Sequence, residues 1–249
     1  MTNRVLLNNV DHADLRAIVG YGPRFGDNVN QALLLPTEFE EAQREYPILL
    51  RKDPQGDYQA VALLGLDRDE NLFLDGGEWR ARYVPAVQQR GPFSIALQDA
   101  KDGGAPRPMI HVDLDHPRVS TSEGLPLFLP AGGNAPYLQH MIGVLGAIYD
   151  GLEVAKPMFA AFSELDLIEP VAIAIELVDG ATYDLPDFHT IAADRLAALS
   201  GGDLERLHHS GLLRAAQWLV SSMGNVQQLV EMKNRRLVMA RAGEGLATP

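Results

Sequence analysis

The sequence predicts an α+β fold, with an antiparallel or mixed sheet drawn from the N-terminal half and helices drawn mainly from the C-terminal half. Three observations carry this reading. Short apolar runs punctuated by Gly, Pro and Asp dominate up to Asp115, and stripes of helical period begin at Asn134. A lone alternating hairpin, with Val171, Ile173, Ile175 and Leu177 on one face and Asp179–Gly180 as its turn, sits among the helices. Strands followed by helices favour α+β over the regular β–α alternation of a doubly wound parallel sheet.

Residues 1–30 carry little periodicity, with Gly20, Gly22, Pro23 and Gly26 breaking what there is, and are expected as a loosely attached segment. Ala32 to Leu35 reads as a buried strand. Thr37 and Glu40 have capping-box spacing for a short helix from Glu38 to about Glu45, which Pro47 stops before a strand at Ile48 to Leu50. Tyr58 to Leu66 is nearly continuous in apolar residues, and the charged turn Asp67–Glu70 leads to an expected partner strand over Asn71 to Leu74. Gly76–Gly77 then permits a tight turn before Trp79. Pro85 opens a short helix that Gly91–Pro92 ends, and Phe93 to Leu97 returns as a strand. Lys101 to Pro108 is the most loop-like stretch, and Met109 to Asp115 alternates as a half-buried strand. Helices are expected from Asn134 through Ile148, over Met158 to Leu165, near Ala192 to Leu199, and over Leu212 to Leu237 after a short turn at Leu204–His209. Residues 31–239 are expected to form one domain around one continuous core, and 240–249 a flexible tail.

Composition excludes several functions. A net charge of −12 and a pI near 4.9 oppose binding to nucleic acid, which needs clustered cations on phosphate. The densest basic cluster, Lys233, Arg235, Arg236 and Arg241, reads as complementing a helix dipole. The absence of cysteine removes disulfides, thiolate metal sites and cysteine nucleophiles. No apolar stretch approaches the ~18–20 residues of a spanning helix, and the apolar run Val5–Leu7 is too short for a signal peptide, so no membrane insertion and a cytoplasmic location are expected.

Candidate chemistry is sparse. His111 and Asp113, two apart on a strand, point to one side. With His140 or His189 as a third ligand they make a facial set for Fe, the basis of an alternative reading as a metal-dependent oxygenase. Against it stands the plain reading of a wet strand face. Glu205 and His209 have i, i+4 spacing, more typical of a surface pair than a metal couple. Asp67, Asp69, Glu70 and Asp75 cluster around Asn71 but lack the order of a calcium loop. No P-loop, dinucleotide or G-x-S-x-G signature occurs. Trp79, Tyr83, Arg90 and Phe93 form a candidate binding platform, weighed against aromatics that simply cap a core. Trp218, off the apolar stripe of its helix, suggests an interface.

The central stretch resembles the SapC family. The matching residues are Glu38–Phe39, Tyr46–Pro47–Ile48, Leu63–Leu64–Gly65–Leu66, Glu70–Asn71–Leu72–Phe73, Trp79, Tyr83–Val84–Pro85–Ala86 and Pro92–Phe93. In the second half they are Leu127–Phe128, Asp166–Leu167–Ile168–Glu169–Pro170, Ser210–Gly211–Leu212 and Ser221–Ser222, so the resemblance runs from about residue 30 to 236. The chain departs from it at Gln88–Gln89–Arg90–Gly91, where relatives carry an Arg-rich run. The resemblance implies no catalytic residues. It implies the company of TonB-dependent receptors, flavin-dependent tryptophan halogenases and cupin-type or prolyl-hydroxylase-type oxygenases. The expectation is therefore an accessory or binding protein without a cofactor, a homodimer with a halogenase, oxygenase or receptor-linked protein as its partner, acting in uptake or modification of a peptide or small molecule.

Overall fold

A computed structural model describes residues 3–98 and 107–246. Of the expected loop Lys101–Pro108, only Arg107 and Pro108 fall among them, as the start of a strand. The architecture is α+β, as the sequence predicts. Its centre is a five-stranded antiparallel sheet in the spatial order Ile168–Glu176, Thr182–Ile191, Ile48–Lys52, Tyr58–Leu63 and Gln31–Leu34. Ala60 in Tyr58–Leu63 faces Leu34 on one neighbour and Leu50 on the other. A central strand is buried on both faces, which is why this stretch reads as a continuous apolar run. The C-terminal hairpin joins the rest through His189 opposite Leu50.

The core has two parts. Around the five-stranded sheet, Phe39, Tyr46, Leu49, Leu63, Phe162 and Leu219 are fully buried. A second cluster, with Phe93, Val112, Leu138 and Met141, lies on a three-stranded sheet of Arg4–Leu6, Arg107–Asp113 and Phe93–Gln98. One helix of 29 residues, Pro136–Glu164, supplies side chains to both: Leu138, Met141 and Leu145 to the smaller core, Met158, Phe159 and Phe162 to the larger. The sequence suggests two helices here. The chain instead runs helically through Pro157, a residue that gives up one intrahelical hydrogen bond.

Residues 3–30 are integrated rather than loosely attached. Arg4–Leu6 pairs with His111–Asp113, and Arg16–Ala17 lies between Val119–Ser120 and Leu125–Pro126. Leu15, Ala17 and Phe25 are buried. These strands are two or three residues long, too short for any periodicity to register. The expected strand Asn71–Leu74 is mostly loop. Leu74–Asp75 instead pairs with Glu78–Trp79 around Gly76–Gly77. The expected capping box also shifts: Glu38, not Glu40, reaches back to the backbone N–H of Leu35 at 2.9 Å. The long C-terminal helix is broken into Leu212–Ser222 and Asn225–Leu246, so the second piece extends into the expected tail. The break is held by side chains. Ser222 Oγ accepts the N–H of Ile48 at 3.1 Å, and Asn225 Nδ2 donates to the carbonyls of Gln43 and Tyr46 at 2.8 and 3.0 Å. Among the described residues no helix is long and apolar enough to cross a membrane.

Candidate functional site

Two segments rich in glycine, residues 19–28 and 71–77, face each other across a groove of about 570 Å³. Tyr21, Arg24, Phe25, Leu74 and the Gly76–Gly77 turn line it, with Arg236 from the last helix at its edge. Buried polar contacts hold its walls. Asp27 is 2% exposed, and its Oδ2 accepts Arg118 Nη2 at 2.7 Å and the N–H of Gly22 at 2.8 Å. Arg118 also donates to the Gly20 carbonyl. The fully buried Asn71 links the two segments: its Nδ2 donates to the Asp27 carbonyl at 3.0 Å, and its Oδ1 accepts the N–H of Phe73 at 3.0 Å. Tyr21 N–H donates to the Gly77 carbonyl at 3.1 Å. Gly76 and Gly77 have φ of 59° and 87°, a left-handed pair suited to a two-residue hairpin turn.

Electrostatics in the groove are set by guanidinium groups. Those of Arg24 and Arg118 lie 4.4 and 4.3 Å from the Phe25 ring centroid, and Arg118 is 5.3 Å from that of Tyr21. Arg236 donates through Nη2 to the carbonyls of Asn71, Leu72 and Leu74 at 3.1, 3.0 and 2.7 Å. Asp75, the acidic residue of the lining, is paired with Arg80 at 3.1 Å. Burial pushes the Asp27 carboxyl above the ordinary carboxylate range, opposed by the Gly22 N–H and then by Arg118. Burial likewise raises the Tyr21 phenol and, together with Arg118, lowers the nearby His116.

Behind the groove a hydrogen-bonded chain fixes the aromatic wall. Trp79 stands edge-on to Tyr21 at 5.5 Å and donates from Nε1 to the Tyr46 hydroxyl at 2.8 Å. Tyr46 donates in turn to the Tyr83 carbonyl. The Tyr83 hydroxyl donates to Glu38 Oε1 at 2.7 Å, which also accepts the N–H of Ala86 at 2.8 Å. Burial pushes both phenols well above their ordinary range, with Glu38 adding to the rise at Tyr83.

Of the sequence-selected platform, Trp79 and Tyr83 are joined by this chain, with Trp79 behind the groove wall rather than on it. Arg90 and Phe93 lie elsewhere: Arg90 Nη1 donates to the Phe93 carbonyl at 3.0 Å, and the Phe93 ring is buried in the second core. Tyr21, Arg24 and Phe25 carry no periodic pattern that marks them in the sequence, and Arg236 stands out there only as part of a basic cluster at a helix end. The clustering of two aromatics and an arginine within a glycine-rich stretch was the available signal. Trp218 is half-buried against the main core, with Arg214 over its ring at 5.5 Å.

His111 and Asp113 do share a face of Arg107–Asp113, but Asp113 Oδ1 is occupied by the N–H groups of Asn3 and Asp115 at 3.0 and 3.3 Å. His140 is exposed on the long helix. His189 is in the other sheet, 5.3 Å from the Tyr58 ring. Among the described residues no group of three or more His, Asp or Glu is placed to hold a metal ion, so these residues do not fit an iron centre. The acidic cluster has a structural partner instead: Lys233 Nζ meets Asp67 Oδ2 at 2.5 Å and Glu70 Oε1 at 2.7 Å. The C-terminal basic residues thus bind loops rather than only their own helix end, and Arg241 reaches Asp179 at 3.8 Å.

A family model described as SapC matches residues 7–229. No curated protein and no solved structure matches the chain.

Proposed function

The chain belongs to the SapC family, and on that premise we propose that it is a binding protein, holding a small molecule or a peptide segment in the groove between residues 19–28 and 71–77. In this reading it serves as a cytoplasmic accessory to proteins that take up or modify such molecules. The observation that carries the reading is the groove's construction. A buried ion pair and a buried amide tie its walls together, so the cavity exists before a ligand arrives and little ordering is needed on binding.

The lining supports binding over catalysis. It holds no histidine, serine, threonine or lysine, and its one carboxylate, Asp75, is exposed and paired with Arg80. Aromatic, apolar and guanidinium groups suit recognition, whereas acid–base work needs titratable groups in mutual reach. The acidic composition argues against a nucleic-acid partner, and the lack of cysteine is compatible with a reducing compartment without selecting it. The family's company of TonB-dependent receptors, halogenases and oxygenases supports the accessory role.

The test is a screen of small acids, amines and short peptides by ¹H–¹⁵N chemical-shift perturbation on the full chain. Perturbations should concentrate on residues 19–28, 71–77 and the neighbourhood of Arg236. Shifts confined to another surface, or chemical conversion of a bound compound, would overturn the reading.

A further inference from the structure

We infer that the group recognised in this groove is an aromatic carboxylate, with its anion held by Arg24 and Arg236 and its ring laid against Tyr21 and Leu74. This rests on the reading of the groove as a binding site and specifies its ligand.

The charge argument comes first. The chain carries a net charge of −12, yet the groove places two exposed guanidinium groups at its lining and neutralises its one carboxylate externally, through Arg80. A cationic groove on an acidic protein concentrates anions locally while the rest of the surface repels them.

The geometry of the arginines narrows the anion. Arg236 makes its hydrogen bonds among the described residues through Nη2 alone, to the carbonyls of Asn71, Leu72 and Leu74. The guanidinium is thereby fixed in position with Nη1 and Nε still to donate. Arg24 lies over the Phe25 ring, and a guanidinium stacked on a ring keeps its N–H donors in the plane, directed outward. Planar forks of this kind match a carboxylate bidentately.

Apart from the amides of Asn28 and Asn71, the other side chains of the lining are apolar or aromatic. Tyr21 is half-buried with its ring braced by Trp79, Leu74 is half-buried, and Val19 is 56% exposed at the rim. A cavity of about 150 Å³ accepts a benzene ring, so the groove's volume of about 570 Å³ takes a one- or two-ring acid. The carboxylate has two possible sources, a free aromatic acid or the C-terminus of a peptide ending in an aromatic residue. The recognised chemistry is the same.

The experiment is calorimetric titration of the full chain with 2-naphthoate, 2-naphthamide and a naphthylmethyl ammonium salt, and with a tetrapeptide ending in phenylalanine as acid and as amide. The expected result is binding of the acids about tenfold or more tighter than of the amides, weakening as salt rises. In Arg24→Gln the acid should lose that advantage while the amide is unaffected, and an unchanged melting temperature would show the fold intact. Tighter binding by the peptide acid than by naphthoate would assign the carboxylate to a chain terminus, and the reverse to a small molecule. Equal binding of acid and amide, or preference for the ammonium, would overturn the inference and leave the binding site standing. If none of these probes nor any compound of the wider screen perturbs the groove, the binding reading itself fails.

Discussion

Lys233 and Asp67 meet at 2.5 Å across 166 residues of sequence, fastening the last helix to the loop that precedes the groove. Glu70 joins them at 2.7 Å, and its other oxygen accepts the N–H of Leu66 at 3.1 Å. Lys233 is 8% exposed, so its ammonium is withdrawn from bulk water and depends on these partners. Burial alone would pull the Lys233 ammonium down, yet the hydrogen bonds it donates to Asp67 and Glu70 push it up to about 12. The same ammonium holds Asp67 below the usual carboxylate range.

From this follows a dependence of stability on pH. Asp67 takes up a proton less readily when folded, so its contribution is complete above the ordinary carboxylate pKa near ~4 and fades as pH falls below that. Lys233 holds its proton more tightly when folded; its contribution is complete below ~10.4 and fades as pH rises through about 12. Lys233→Met should lower the urea midpoint at pH 7, and the gap to the unmodified chain should narrow at pH 3. A gap as wide at pH 3 as at pH 7 would mean that packing of the lysine stem, not its charge, fastens the helix.

Asp27 and Arg118 form the second long-range pair, and neither can be removed alone without leaving a buried charge. Arg118→Met should destabilise the chain by about 3–5 kcal/mol, the usual cost of breaking a buried pair. The double variant Asp27→Leu/Arg118→Met should recover much of that loss. Equilibrium unfolding of the three variants checks this. Additive losses would show that the two side chains act independently.

The parts legible in the sequence were those set by long periodic patterns. The alternation of Val171 to Leu177 and the continuous run from Tyr58 gave the hairpin and the central strand because sheet burial repeats over many residues. The groove was not legible. Its strands and turns span two or three residues each, and its cohesion comes from Asp27, Asn71 and Arg118, whose partners lie 91 and 44 positions apart. Pattern reading sees neighbours in sequence, whereas a buried ion pair is a relation between distant ones. The break at Gly224 was hidden for a related reason: the side chains that fix it, Ser222 and Asn225, answer to Ile48, Gln43 and Tyr46 rather than to their own helix.

Glu38 anchors the chain of hydrogen bonds behind the groove. Its carboxylate accepts Tyr83, Ala86 and Leu35 at 2.7, 2.8 and 2.9 Å. Replacing it by leucine strands a hydroxyl and two backbone N–H groups in a buried site, and the expected loss is at least about 2 kcal/mol. Tyr83→Phe leaves the two backbone bonds to Glu38 in place and should cost about 1 kcal/mol. Chemical denaturation distinguishes them, and equal losses would place the chief role with the tyrosine instead.

Three glycines of the long helix make a test with its own control. In an exposed helix, glycine to alanine stabilises by up to about 1 kcal/mol, because alanine loses less backbone entropy. A Cβ at Gly143 or Gly146 would meet nothing within 4 Å, so Gly143→Ala and Gly146→Ala should each raise stability. At Gly151 a Cβ would stand 2.7 Å from Leu35 Cβ and 2.8 Å from Thr37 Oγ1. Here the helix lies directly on the Leu35–Glu38 turn, and Leu35 is buried beneath it. Gly151→Ala should therefore destabilise by about 1–3 kcal/mol, the usual range for overpacking a core. Thermal melting of the three variants would show two midpoints rising and one falling. A rise at Gly151 as well would mean that the turn yields, and that the helix is not held by this close approach.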